Sequence, residues 1–316
     1  MTTALHTVDA RRAFLGGLID DAGLFPPARL PMAAAVASHI SHRQGRHAWI
    51  QGTFVCPASR LDELVGELPD SAPQWPVSVI ADGDDLASDV HAAVRLRQRT
   101  GGRAWGHALE ARLGTTDDEW ISATVAVVRA ATHAAGEPMA LAVELPVTGS
   151  DADQIDSWFR AIRDLRSPES PAVVAKLRCG GLTADAFPTV AQAASVVRGC
   201  VAHEVRLKAT AGLHHPVRHL DPSTGFDHHG FYNLFGALVL LGARAIDNEH
   251  VPSVLNEADP AAFTLTAEGF GWRDAMIDGP SVGRQRDRLV IGYGSCSFDE
   301  PVEDLVALGV LTGPEG

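Results

Sequence analysis

Two lysines mark the part of the chain where chemistry is most strongly indicated. The sequence contains 24 arginines but only two lysines, Lys176 in PAVVAKLRCGG and Lys208 in HEVRLKATAG. Both lie in apolar runs typical of strands. Arginine serves well for solvated charge and bidentate pairing, whereas only lysine can lose its proton and attack a carbonyl carbon. This usage indicates a Schiff-base role for the pair.

Schiff-base chemistry also needs groups that move protons, and carboxylates at predicted strand ends are suitable. Glu110 in HALEAR and Glu144 in AVELPV are the preferred candidates, because their strands lead round toward the strand of Lys176. Other carboxylates in comparable positions are Asp20, Asp21 and Asp82.

Several further residues are expected to contact a substrate. Arg178 lies two positions after the first lysine, and Asp21 lies in LIDDAG of the first predicted strand. Tyr293 ends the last predicted strand and is a candidate proton donor, although a buried structural role is equally consistent with the sequence. His214 and His215 begin a long loop and could bind substrate or shuttle protons.

The same loop supports a different interpretation. Five histidines fall within sixteen residues: His214, His215, His219, His228 and His229. A divalent-metal site is therefore the main alternative, with hydrolase or lyase chemistry. The spacing H-H-x3-H-x8-H-H matches no defined metal signature, and the first strand lacks an H-x-H pair, so no metal is predicted. A non-catalytic binding barrel is a second alternative, but it leaves the lysine pair unexplained.

The elements that must position these groups alternate regularly between short apolar runs and longer segments with helical periodicity. We count eight such pairs, which predicts a TIM barrel, an α/β fold with eight β/α units. The predicted strands are FLGGLIDDAGLF, AWIQGTFVC, PVSVIAD, RAWGHALEAR, MALAVELPV, AVVAKLRCG, EVRLKATAG and RLVIGYGSC.

In such a barrel the active site lies at the carboxyl ends of the strands, and alternate residues point inward. Lys176 and Lys208 fall near the ends of strands six and seven, which are neighbours. Their ammonium groups are then close together, and both repulsion and desolvation favour the neutral amine that attacks a carbonyl. The predicted inner faces are Val174, Lys176 and Arg178 on strand six, and Glu204, Arg206, Lys208 and Thr210 on strand seven.

The seventh unit departs from the plain pattern. Residues 213–285 form an insertion that is predicted to act as a lid or a subunit contact, because long connections are usually functional. Within it, FYNLFGALVLLGA is either a core helix or part of a homo-oligomer interface, and composition does not decide between them. Residues 1–316 are otherwise predicted to form a single domain.

Three short motifs make the chain resemble the class I aldolases of the deoxyribose-phosphate aldolase type. They are Lys176-Leu177-Arg178-Cys179-Gly180, Lys208-Ala209-Thr210-Ala211-Gly212 and Gly294-Ser295-Cys296-Ser297, and the match covers residues 171–298. The resemblance implies that Lys176 forms the imine and that the charge of Lys208 favours the neutral amine of Lys176. It also implies that Ser295 and Ser297 lie in a substrate-binding turn.

The chain differs from that family at two places. Glu110 is the nearest carboxylate to the position of the family's proton-relaying aspartate on strand four. The small residues of the family's phosphate-binding turn are replaced here by Phe298, Asp299 and Glu300. The carboxylates of Asp299 and Glu300 would repel phosphate. We therefore expect related chemistry on a different, non-phosphorylated carbonyl compound.

Composition limits the choice of partners. The net charge of −13 argues against nucleic acid, and no apolar run is long enough to span a membrane. There is no signal-peptide segment in the first fourteen residues, and the four cysteines show no zinc or disulfide spacing, so we expect a cytoplasmic protein with reduced thiols. Walker-type and G-x-G-x-x-G motifs are absent, and a Schiff-base lyase or aldolase needs no organic cofactor.

Overall fold

Eight parallel strands close into a barrel in this computed structural model, which describes residues 8–113, 118–168, 171–181, 183–222 and 224–313. The barrel strands are β1 (Ile19–Asp21), β2 (Gln51–Pro57), β3 (Trp75–Ile80), β4 (Ala104–Arg112), β5 (Ala140–Glu144), β6 (Val173–Arg178), β7 (Leu207–Thr210) and β13 (Val290–Ser295). They follow one another around the barrel in this order, and β13 closes it by pairing with β1. The predicted TIM barrel is confirmed.

Helices connect the strands and cover the outside of the barrel. Within the described part of the chain, no helix is both long enough and apolar enough to cross a membrane. The helices are α1 (Ala10–Leu15), α2 (Met32–Gln44), α3 (Leu61–Glu67), α4 (Leu86–Arg99), α5 (Asp118–Ala135), α6 (Ala152–Asp164), α7 (Val190–His203), α8 (Phe231–Gly242), α9 (Val251–Leu255), α10 (Gly279–Leu289) and α11 (Asp299–Ala307).

Helix α6 shows how the sequence pattern produces this packing. Ile155, Trp158, Phe159 and Ile162 recur at intervals of three and four residues, and all four are fully buried. That spacing places them on one face of the helix. Asp151 caps the helix by accepting a hydrogen bond from the backbone N–H of Gln154 at 2.9 Å.

Two strand boundaries differ from the sequence-based expectation. The first predicted strand begins too early, because Ala10–Leu15 is helical and β1 has only three residues. Strand β7 begins at Leu207, because Glu204 ends α7 with a left-handed backbone (φ 57°). Glu204 therefore does not share the inner face of β7 with Lys208.

The seventh unit contributes structure at both ends of the barrel. A two-stranded hairpin, β8 (His219–Asp221) and β9 (Phe226–His228), follows the carboxyl end of β7. A small antiparallel sheet forms later, and Phe270 in it stacks on Phe14 of α1 at 4.6 Å. Its strands are β10 (Phe263–Leu265), β11 (Gly269–Trp272) and β12 (Ala275–Asp278).

Helix α8 belongs to the core of the chain. Every residue from 231 to 241 is buried within the single protomer. The apolar run that the sequence left undecided is therefore a core helix, which packs against its own barrel. The roles of the remaining insertion as a lid or subunit contact stay predictions.

A buried arginine fixes the junction between the first and last barrel strands. The guanidinium of Arg286 donates hydrogen bonds to four backbone carbonyls, while its side chain is nearly closed off from solvent. Its acceptors belong to Phe14, Gly16, Val290 and Ile291. Carbonyls that precede β1 and begin β13 are thereby joined at the amino ends of these strands.

Candidate functional site

A cluster of charged and polar side chains occupies the barrel interior, and we call it the lysine cluster. Six of the eight barrel strands each contribute one buried member: Asp20, Ser78, Glu110, Glu144, Lys176 and Lys208. Lys176 and Lys208 are register partners on the neighbouring strands β6 and β7. Their exposed fractions are 3% and 2%, so both ammonium groups are shielded from solvent.

Glu110 joins the two lysines. Its Oε2 atom lies 2.8 Å from Lys176 Nζ, and its Oε1 atom lies 2.7 Å from Lys208 Nζ. The hydroxyl of Ser78 donates a hydrogen bond to the same Oε1 at 2.5 Å and accepts one from Lys208 Nζ at 3.0 Å. A carboxylate therefore separates the two ammonium groups and screens their repulsion.

Asp20 completes the surroundings of Lys208. Its Oδ2 atom lies 2.7 Å from Lys208 Nζ, and its Oδ1 atom accepts a hydrogen bond from the backbone N–H of Thr53 at 2.6 Å. Gly52 permits this approach, since a Cβ atom there would lie 2.3 Å from Asp20 Oδ1. Strand β2 thus contributes backbone rather than a side chain to the cluster.

Glu144 links Lys176 to the mouth of the barrel. Its Oε2 atom lies 2.8 Å from Lys176 Nζ, and its Oε1 atom accepts from Arg178 Nε at 3.1 Å. Arg112 Nε lies 3.4 Å from the same oxygen. Both arginines are the last residues of their strands and are partly or largely exposed. Two arginines at the mouth therefore bind the same carboxylate that contacts Lys176.

The pairing sets the protonation states inside the barrel. Burial by itself would raise the pKa of Glu110 and Glu144, but nearby cations outweigh it and lower the pKa of both. Burial would lower the pKa of Lys208, but Asp20 and Glu110 outweigh it and raise that pKa above its usual value. Lys208 is thus a permanent ammonium group at neutral pH.

Two of the predicted substrate-contacting residues lie away from the lysine cluster. Asp21 accepts from the backbone N–H of Gly23 at 3.0 Å, and its other oxygen lies 3.1 Å from Nδ1 of the buried His39. Tyr293 is fully buried against Phe231, with which its ring stacks at 5.6 Å. The structure does not bring either side chain to the lysines.

The predicted loop histidines contact the last helix. His214 Nδ1 lies 2.8 Å from Glu300 Oε2, and His215 Nδ1 lies 2.6 Å from Asp304 Oδ2. His214 Nε2 also lies 3.7 Å from the sulfur of Cys296. Burial raises the pKa of the Cys296 thiol, so this group stays protonated at neutral pH and is not an activated nucleophile.

The two predicted serines form hydrogen bonds within the turn between β13 and α11. Ser295 Oγ donates to the backbone carbonyl of Ser297 at 2.6 Å, and Ser297 Oγ accepts from the N–H of Glu300 at 3.2 Å. These bonds shape the turn between β13 and α11 at the carboxyl end of the barrel. A role of either serine in substrate binding stays a prediction.

The arrangement is suited to hold a positively charged nitrogen at Lys176. Two carboxylates contact Nζ, and they would stabilise an iminium ion at that position as well as an ammonium ion. The sequence argument assumed that the two lysines repel one another directly, whereas Glu110 lies between them. The carboxylates, not the second lysine alone, control the charge at Lys176.

Sequence reasoning missed Ser78 and Arg112. Ser78 interrupts the apolar strand PVSVI at an inward position, and Arg112 ends the strand that carries Glu110 two residues earlier, on the same face. A search for polar residues at inward positions of all eight strands would have found both.

Comparisons with protein-family models and with curated proteins found no match to this chain.

Proposed function

We propose that the protein is a Schiff-base lyase or aldolase that forms or cleaves a carbon–carbon bond of a small carbonyl compound. The supporting observation is that Lys176 and Lys208 lie side by side in the barrel and share the carboxylate of Glu110. Arginine is the usual cation of this chain, with 24 arginines against two lysines. Two lysines on neighbouring strands, in a chain with no others, fit a catalytic pair better than a purely structural ion-pair network.

Lys176 is the nucleophile in this proposal because its partner Glu144 also contacts Arg178 at the mouth of the barrel. Its ammonium group must first lose a proton, and in this proposal Glu144 accepts that proton because its Oε2 atom lies 2.8 Å from Lys176 Nζ. The amine then attacks the carbonyl carbon to give a carbinolamine. Loss of water from the carbinolamine leaves an iminium ion between Glu110 and Glu144. Glu144 returns its proton to the hydroxyl that leaves the carbinolamine as water, and is again a carboxylate.

The iminium ion supplies the electron sink for bond cleavage. When the carbon–carbon bond breaks, the Glu144 carboxylate takes the proton of the hydroxyl on the departing carbon, which becomes a second carbonyl compound, and the electron pair of the bond moves toward the iminium nitrogen to give a neutral enamine. Transfer of that proton to the enamine carbon and hydrolysis of the resulting iminium ion release the first product and regenerate Lys176. Lys208 remains an ammonium ion and balances the charge of Glu110 throughout. Arg178 and Arg112 at the mouth favour a substrate that carries negative charge. As the sequence predicts, we place this activity in the cytoplasm.

Reductive trapping tests the proposal. The folded protein is incubated with a panel of small aldehydes and ketones plus cyanoborohydride, and the adduct is measured by intact mass and located by peptide mapping. We expect a single adduct on Lys176. Lys176→Arg should abolish it while keeping a positive charge between the two carboxylates, and Lys208→Arg should slow but not abolish it.

The alternatives predict different results. An adduct on Lys208 alone would keep the chemistry and reverse the two roles. If a folded sample, checked by circular dichroism, forms no adduct on either lysine with any carbonyl compound, the Schiff-base function is wrong. Metal-dependent chemistry and a non-catalytic barrel would then be the remaining interpretations.

A further inference from the structure

The hairpin β8–β9 brings together three side chains that can ligate a metal ion. His219 and His228 are direct cross-strand partners, and Asp221 lies two residues after His219 on the same strand. Cross-strand partners and residues two apart share one face of a ribbon. Each of the three residues offers a ligand atom, and these atoms all lie within 4.8 Å of one another.

A hydrogen bond to a backbone carbonyl orients the ring of His219 for coordination. Its Nδ1 atom lies 3.1 Å from the carbonyl oxygen of Val217. A carbonyl only accepts, so Nδ1 carries the proton and Nε2 carries the lone pair. The Nε2 atom is buried and has no hydrogen-bond partner among the described residues. A backbone carbonyl that fixes the tautomer in this way is a common support of metal-bound histidine.

The contacts of His228 also allow it to present a lone pair. Its Nε2 atom lies 3.0 Å from Thr224 Oγ1, which itself accepts a hydrogen bond from the N–H of Phe226 at 3.3 Å. The Thr224 hydroxyl is therefore able to donate to Nε2, which then acts as the acceptor. The same Nε2 atom lies 3.9 Å from Asp221 Oδ2. A metal ion between them would replace the weak hydroxyl contact.

The distance between Asp221 Oδ2 and His228 Nε2 approaches that of a loaded site. Ligand atoms about 2.0–2.1 Å from zinc in tetrahedral geometry stand about 3.3 Å apart. The contact of 3.9 Å between Asp221 and His228 needs only a small side-chain rotation to reach that value. Packing limits larger movements, because the ring of Phe187 lies 4.9 Å from that of His228, and the ring of His215 lies 4.4 Å from that of His219.

We infer that His219, Asp221 and His228 form a binding site for a divalent transition-metal ion, with zinc as the best fit to two imidazoles and one carboxylate. Three protein ligands leave at least one coordination position for water. The ion would tie β8 to β9 beside the barrel mouth, where His214 and His215 contact α11. This inference does not depend on the lysine chemistry.

Metal titration of the full chain tests the site. The protein is stripped with a chelator and titrated with Zn²⁺ by calorimetry, and bound metal is counted by elemental analysis after gel filtration. We expect a single zinc ion per chain. Asp221→Asn and His228→Gln, which retain side-chain shape, should each weaken binding at least about tenfold, by analogy with the roughly 10–100-fold effects of supporting residues around metal sites.

His250→Ala is the matched control, because His250 forms a surface pair with Asp247 at 2.6 Å outside the hairpin. Its zinc affinity should equal that of the parent protein. Cobalt provides a second readout, since Co²⁺ in a tetrahedral site gives visible absorption that should vanish in Asp221→Asn. Absence of stoichiometric binding, or binding that survives both hairpin substitutions in folded protein, would overturn the inference.

Discussion

Glu110 contacts both lysines through different oxygens, Oε2 at 2.8 Å from Lys176 and Oε1 at 2.7 Å from Lys208. It is almost fully enclosed, with 2% of its surface exposed. Charge removal there leaves two buried ammonium groups with one carboxylate fewer. No solvent is available to compensate them, so the free energy of unfolding should depend strongly on this one side chain.

Glu110→Gln is expected to lower the free energy of unfolding by about 3–5 kcal/mol, the usual cost of breaking a buried ion pair from one side. Urea denaturation measures the change. Glu137→Gln removes a carboxylate from a partly exposed pair with Arg97 at 2.8 Å, and should cost no more than about 1 kcal/mol. Equal effects of the two substitutions would show that Glu110 is not a buried charge.

Asp20 and Asp21 illustrate the limit of sequence reasoning at the residue scale. Adjacent residues of a strand point to opposite faces, so one of the two had to face the barrel interior. The sequence could not tell which one, because β1 has only three residues and no alternating pattern. Both were candidate carboxylates from the sequence, but Asp20 contacts Lys208, whereas Asp21, the one predicted to contact substrate, contacts His39.

At the scale of elements, helix α7 connects the two lysine-bearing strands. It begins at a capping box, in which Thr189 Oγ1 accepts from the N–H of Gln192 at 3.2 Å and Gln192 Oε1 accepts from the N–H of Thr189 at 3.0 Å. This reciprocal pair satisfies backbone groups that the helix itself cannot.

Thr189→Ala is expected to lower the free energy of unfolding by about 1 kcal/mol, because the Gln192 N–H loses its acceptor. Thr189→Ser keeps the hydroxyl and should stay close to the parent value. Thermal and urea denaturation of the two variants compare them directly. If serine is as damaging as alanine, the effect comes from lost methyl packing and not from the cap.

The barrel strands and their connecting helices were predictable because apolar periodicity records which face of each element is buried. Helix α6 is an example, with its buried face repeated at intervals of three and four residues. The hairpin β8–β9 was not found, because its strands have three residues each and are rich in histidine. Short polar strands are specified by cross-strand contacts that no local pattern reveals.

For the whole molecule, the lysine cluster couples stability to pH. Because folding lowers the pKa of Glu110 and Glu144, their ionised forms stabilise the fold at pH values above their ordinary pKa of 4.5. This contribution is lost as the pH falls below that value. Because folding raises the pKa of Lys208, its ammonium form stabilises the fold at pH values below its ordinary pKa of 10.5. This contribution is lost as the pH rises through the pKa of the folded state.

The free energy of unfolding should therefore be nearly constant with respect to these groups between pH 4.5 and 10.5, and should fall on either side. Urea denaturation across this range measures it. Glu110→Gln removes one of the titrating carboxylates, so its loss of stability below pH 4.5 should be shallower than that of the parent protein. An unchanged slope would assign the acid sensitivity to other carboxylates.

The junction of β1 and β13 has a consequence for how the chain folds. Arg286 and its acceptor Phe14 are 272 residues apart in sequence, so the barrel closes through its most distant contacts. Asp20 reaches Lys208 only when β1 has joined β13, which in turn pairs with β7. A half-formed barrel would leave Lys208 without one of its counter-charges and its lumen open to water. Contacts between residues so far apart in sequence form slowly. Because the Asp20–Lys208 pair needs the last strand pairing, closure of the barrel and burial of the charges should occur together, as one cooperative step.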